Sequence, residues 1–161
     1  MSTARAIDIS VHCVDAMAQL VMLDHALRIG TCTRKNIAAF TVTPGPRRAW
    51  LLAAVDPRSD SVSETCARVA LRAAGLDVVS QAVFPGVGRV DLLVEGRVVV
   101  ECDGRDYHSD PRAFARDRAR DRELIARGLD VLRFPYADTV YRPDRVVSDV
   151  RRALDASPLR R

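Results

Sequence analysis

Between residues 13 and 29, apolar side chains fall at Val14, Met17, Leu20, Val21, Leu23 and Leu27. This three- and four-residue spacing predicts one buried helix face, with Gly30 following as a C-cap. Thr33 is placed to cap a second, short helix through Phe40, and TPGPRR at 43–48 is a cluster of helix breakers. AWLLAAV then forms a short helix or strand, and DPRSDS at 56–61 reads as a linker. Two helices and a turn fit either the remnant of a helix-turn-helix DNA reader or a small helical appendage. This N-terminal region spans residues 1–57.

From Ser61 the period alternates between helical and extended. Ser61-Val-Ser-Glu64 opens a helix to about Ala74, with Val62, Cys66, Val69 and Ala73 on one face and Gly75 ending it. Strands follow at about 78–84, 88–94 and 98–103. Asp110-Pro111 supplies an N-cap and first position for a helix to Arg127, and Gly128 caps its end. LDVLRF is a fourth strand stopped by Pro135, and Pro143 opens a last helix with Val146, Val147, Val150, Ala153 and Leu154 on one stripe. The order αβββαβα over 61–155 predicts an α/β domain: a mixed central sheet with helices on both faces.

The second and third strands carry carboxylates among valines, and an uncompensated buried carboxylate costs several kcal/mol or becomes neutral. A two-residue turn at Glu95-Gly96 would pair Asp91 with Val100 and mix apolar and charged faces. A three-residue connection, Glu95-Gly96-Arg97, pairs Leu92 with Val100, Leu93 with Val99 and Asp91 with Glu101. Patterning favours the latter, with Val90, Leu92 and Val94 on one apolar face and glycine at the φ > 0 position. Asp91 and Glu101 are then about 5 Å apart at Cβ, with Asp103 one pleat further. Like charges that close repel unless a cation lies between them. Carboxylates plus a backbone carbonyl, such as that of Cys102, suit Mg²⁺ or Mn²⁺. The competing expectation is that these acids sit at a sheet rim, solvated or paired with Arg89, Arg105 or arginines of the following helix.

Composition adds constraints. The chain of 161 residues is 48% apolar, enough for a real core, and no apolar run is long enough to span a membrane. The start, MSTARAIDISVH, lacks a signal-peptide apolar segment. Cys13, Cys32, Cys66 and Cys102 form no C-x-x-C pair, which predicts reduced thiols in a cytoplasmic protein. Net charge is +4, and the basic residues are arginines apart from Lys35. Arginine suits phosphate contacts, although the charge is spread along the chain. Arg112, Arg116 and Arg120 recur every four residues, as a phosphate-contacting stripe or as a solvated face flanked by Asp117 and Asp121.

Asp91, then about ten residues, then Glu-Cys-Asp-Gly with His108 shortly after, resembles the PD-(D/E)xK nucleases. GRVDLLVEGRVVVECDGRDYH followed by ARDRARDRELIARGLDVLRF is similar to the group related to very-short-patch-repair endonucleases. The resemblance runs from about Ser61 to Leu154.

It implies a restriction-endonuclease-like fold and metal-dependent cleavage of DNA. By that resemblance Asp91 and Glu101 match metal-binding acids, and Asp103 stands where typical members have lysine. His108 matches a histidine near the attacking water, and Glu64 a first-helix glutamate that orients metal-bound water. Read from the residues alone, Glu64 is also the fourth position of a capping box with Ser61, and Asp103 a turn residue. The motif lysine is absent. The zinc ligands of true very-short-patch enzymes are absent too, so mismatch specificity does not carry over. The expected function is a Mg²⁺-dependent endonuclease, with a nickase as one form of it, in repair or defence; a homodimer would serve double-strand cleavage. The alternatives are a non-catalytic nucleic-acid-binding module or a toxin–antitoxin-type regulator. Three carboxylates facing a phosphate backbone repel it without metal, which favours the enzyme.

Overall fold

The computed structural model describes residues 1–103 and 111–156, and their side chains except at 111–117. The chain folds as two compact units, Met1–Thr65 and Cys66–Arg161. Among the described residues no helix is long and apolar enough to cross a membrane.

The first unit is helical: α1 (Thr3–Ile9), a 3₁₀ turn (Ser10–His12), α2 (Ala16–Arg28), α3 (Arg34–Ala38) and α4 (Gly45–Ala54). Leu20, Leu23, Ile37 and Leu51 are fully buried in it, and burying such a side chain contributes roughly 1.5–3 kcal/mol. Thr33 and Asn36 form a reciprocal capping box on α3, as the sequence predicts for Thr33, although the helix stops at Ala38. The TPGPRR segment differs from expectation: Pro44 is the N-cap of α4 and Pro46 lies in its first turn. First-turn N–H groups have no intrahelical partner, so proline there starts a helix instead of breaking one. Asp8 ties the unit together, accepting from the N–H groups of Thr41, Val42 and Thr43 at 2.8–3.2 Å.

A further helix, α5 (Val62–Ala73), leads into a four-stranded sheet of β1 (Val78–Phe84), β2 (Gly88–Val94), β3 (Val98–Asp103) and β4 (Asp130–Pro135). The order is β1-β2-β3-β4; β3 and β4 run parallel and the other pairs antiparallel. The helices α6 (Pro111–Ala126), α7 (Tyr136–Tyr141) and α8 (Pro143–Ala156) complete the unit. The parallel pair needs a crossover, and α6 provides it. Ala67 and Leu71 of α5 and Val146 and Val150 of α8 cover one sheet face with Leu92, Val94, Val98 and Val100. Leu124 of α6 packs with Val90, Val99 and Leu129 in a separate cluster. This is the mixed sheet flanked by helices that the sequence predicts, with α7 as an unexpected addition after Pro135.

The β2–β3 connection has the three-residue length. Val94 pairs with Val98, Leu93 with Val99 and Leu92 with Val100. Gly96 has φ 64°, and Glu95 shares the left-handed conformation with φ 50°. That conformation is unfavourable for a side-chain-bearing residue. It is held by two bonds to Asp77: Glu95 N–H donates to the Asp77 carbonyl at 3.0 Å, and Asp77 N–H donates to Glu95 Oε1 at 2.7 Å.

One detail of the faces is corrected. Val90 does not pack with Leu92 and Val94 but with Val99 and Leu124, so β2 changes sides at Asp91. The neighbouring strand shows why. Ser80 pairs with Leu92 and Ala82 with Val90, and between them Gln81, opposite Asp91, has φ 56°. A left-handed residue inside a strand breaks the twofold alternation of side chains.

Candidate active site

The distortion at Gln81 and Asp91 lies at the end of the β2–β3 ladder. The last pair is Leu92 with Val100, and Asp91 and Glu101 come next on their strands. There the Asp91 carboxylate replaces a backbone acceptor: its Oδ2 takes the N–H of Cys102 at 2.8 Å. On the other side of β3, the parallel register sets Glu101 beside Arg133 and Asp103 beside Pro135. Gln81, Asp91, Glu101 and Arg133 therefore form a row across all four strands.

Glu101 is 6% exposed. Its Oε1 lies 2.9 Å from Arg120 Nη2 of α6, an ion pair by distance. The geometry is not that of an aligned hydrogen bond, so this buried oxygen retains accepting capacity. Burial first, then the negative charge of Asp91, push the Glu101 carboxyl up to about 7, and a hydrogen bond with Asp91 adds to the rise. The charges of Arg120 and Arg133 oppose it. The two carboxyls thus behave as a close pair that resists carrying two negative charges together.

Asp103 has its own arginine. Arg133 Nη1 lies 3.5 Å from Asp103 Oδ1, and Arg133 Nη2 donates to Asp121 Oδ1 of α6 at 2.8 Å. Burial works against the Arg133 charge, but the Asp121 bond and the charges of Asp121, Asp103 and Glu101 outweigh it and hold the guanidinium ionised. Consecutive residues of α6, Arg120 and Asp121, thereby reach different members of the row. Arg120 also donates to the carbonyl of Arg89.

Of the residues singled out in the sequence, Asp91, Glu101, Asp103 and Arg120 come together here. Glu64 lies in the first unit, where its N–H donates to Ser61 Oγ at 3.1 Å and its Oε2 accepts from Asp60 N–H at 2.8 Å. These bonds realise the capping reading, with the carboxylate reaching Asp60 instead of Ser61. His108 and the side chains of Arg112 and Arg116 lie outside the described residues.

Sequence reasoning missed Arg133 and Gln81 and treated Asp121 only as a flanking charge. Arg133 carried a readable signal, a charge between the apolar residues Leu132 and Phe134 of a strand, the same anomaly that exposed Asp91. The conformation of Gln81 had none.

The donor set bears on which ion could fit. Among the described residues no group of three His, Cys, Asp or Glu side chains is arranged to hold a metal. Two adjacent carboxylates with an underused buried oxygen suit an ion that keeps much of its water, as Mg²⁺ does, and not a closed all-protein zinc cage.

No curated protein and no solved structure matches the chain. The family model REase_MTES_1575 matches residues 64–154, over half of the 161 residues, and takes in β1 to β4 with Asp91, Glu101, Asp103, Arg120 and Arg133. This supports the PD-(D/E)xK superfamily and a nuclease. The chain belongs to the restriction-endonuclease-like family REase_MTES_1575.

Proposed function

We propose that this protein is a divalent-metal-dependent DNA endonuclease, related to the very-short-patch-repair group but without its mismatch specificity. The observation that carries the reading is the Asp91–Glu101 pair at the end of the β2–β3 ladder, where the Glu101 carboxyl is pushed up by burial and by the neighbouring Asp91.

In this reading Asp91, Glu101 and the backbone carbonyl of Cys102 would hold Mg²⁺ or Mn²⁺. Such an ion would supply a water of lowered pKa and polarisation of the phosphoryl oxygens. Arg120 leaves its ion pair with Glu101 as that carboxylate is shared, and turns to a backbone phosphate beside the cleft. Arg112 and Arg116 extend the same stripe along α6. His108 takes the proton of the attacking water, a role suited to an imidazole at neutral pH. Asp103 orients the water. The water oxygen bonds to phosphorus, the bond from phosphorus to one sugar oxygen breaks, and the leaving oxygen acquires a proton. One copy nicks a strand; two copies acting together as a homodimer cut both. A cytoplasmic place in repair or defence fits this activity.

The second reading, a non-catalytic DNA-binding module, draws on the two ion pairs, since Glu101 and Asp103 are each neutralised by an arginine without any metal. A DNA-reading role for α2 and α3 would belong to it. Incubation with supercoiled plasmid separates the two. The nuclease nicks in Mg²⁺ or Mn²⁺ and stops in EDTA; a binding module shifts the plasmid in a gel and leaves it intact.

A further inference from the structure

We propose that Arg133 contacts the scissile phosphate and neutralises the charge that develops on it, supplying from β4 the cation that β3 does not carry. The inference rests on the nuclease reading above and deepens it.

The argument starts from charge. Asp91, Glu101 and Asp103 project from two adjacent strands, and Asp121 approaches from α6. A phosphodiester entering this site meets carboxylates, and a bound divalent ion offsets only part of their charge. A side chain of permanent positive charge is needed next to the reacting group. The position two residues after Glu101 on its strand would be the simplest source, and it holds Asp103. That aspartate lies 3.5 Å from the guanidinium of Arg133, so the positive charge reaches this spot from the neighbouring strand.

Two features distinguish Arg133 from Arg120. Arg120 is bound to Glu101, one of the two paired acids, so metal and arginine compete for that carboxylate. Arg133 is held by Asp121 and Asp103, neither of which belongs to the Asp91–Glu101 pair. It therefore stays in place whether or not an ion is bound. Its strand position is also fixed, in register with Glu101 at the parallel β3–β4 ladder. At 27% side-chain exposure it is anchored but open to solvent, as a group that meets a substrate must be. A guanidinium already oriented by two carboxylates loses little freedom when it meets a phosphate, and its remaining N–H groups can form a forked contact.

The test compares wild type with Arg133→Gln, Arg133→Lys and the double variant Asp121→Asn/Arg133→Gln, which removes both charges of the Arg133–Asp121 ion pair. Mn²⁺ binding is measured by calorimetry, affinity for a short DNA duplex in Ca²⁺, and single-turnover cleavage in Mn²⁺. Arg133→Gln is expected to bind Mn²⁺ as tightly as wild type or more tightly, because a positive charge beside the acids is gone. It should bind DNA several-fold more weakly and cleave about 100-fold more slowly, the usual effect of removing one such donor. Arg133→Lys should recover part of the rate, and the double variant should follow Arg133→Gln. Cleavage by Arg133→Gln within about twofold of wild type, under the same criterion, overturns the inference and leaves the nuclease standing. Parallel loss of Mn²⁺ binding, melting temperature and cleavage in both glutamine variants overturns it too, by showing a structural role. An inert wild type whose Mn²⁺ binding is unchanged by Asp91→Asn and Glu101→Gln removes the nuclease reading, and the role of Arg133 with it.

Discussion

Glu101 and Arg133 stand in register on parallel strands, yet each takes an oppositely charged partner from α6: Glu101 pairs with Arg120 at 2.9 Å and Arg133 with Asp121 at 2.8 Å. The helix that makes the β3–β4 crossover thus also fixes the electrostatics of the site. Two adjacent helix residues of opposite sign reach two adjacent strands of opposite sign.

The first consequence concerns metal affinity. A carboxyl pushed up to about 7 by burial and by Asp91 holds a proton that a cation must displace. Mn²⁺ affinity measured by calorimetry should rise about tenfold per pH unit from about pH 5 and level off above about pH 7. Arg120→Met removes a charge that favours the ionised carboxylate, so the plateau should move to higher pH. An affinity flat across this range would mean that Glu101 is not a ligand.

The same group sets the stability of the metal-free protein. The folded Glu101 retains its proton where the unfolded chain, with the ordinary value of 4.5, has released it. Its contribution is therefore fully present below about 4.5 and lost as pH rises through about 7. The loss is on the order of 3 kcal/mol. Glu101→Gln should flatten this part of the melting-temperature profile without unfolding the protein, as followed by circular dichroism between about pH 4 and 8.

Asp8 should behave in the opposite sense. Burial raises its carboxyl, but the N–H groups of Thr43, Thr41 and Val42 outweigh this and hold it below the ordinary 3.8. Its contribution is present above the ordinary value and disappears as pH falls through the lowered one. Asp8→Ala leaves three backbone donors without their acceptor and should destabilise the protein by about 3 kcal/mol. Denaturant unfolding at neutral pH reads the loss, and the variant should show a weaker decline in stability on acidification below about pH 4.

Much of this site was readable because buried charge is conspicuous. The valines around Asp91 and Glu101 fixed the strands, and apolar pairing selected the three-residue connection that Leu92–Val100 and Val94–Val98 now show. What escaped depended on conformation or on contacts distant in the chain. Gln81 turns left-handed inside β1, and no local pattern announces it. The partners of Arg133 lie 30 and 12 residues away, so its role emerges only when β4 is laid against β3 and α6. Pro44 and Pro46 show a different ambiguity, since proline ends a helix from inside but begins one at its first turn.

The decisive measurement is conversion of supercoiled plasmid to nicked or linear DNA in Mg²⁺ or Mn²⁺, with wild type, Asp91→Ala and Glu101→Ala purified identically. Metal-dependent cleavage by wild type, reduced at least about 100-fold by either substitution, is the expected result for two acids holding one ion. Cleavage that persists in both variants would place the chemistry elsewhere. A wild type that binds the plasmid but leaves it intact with either ion would make the paired acids a remnant on a DNA-binding fold.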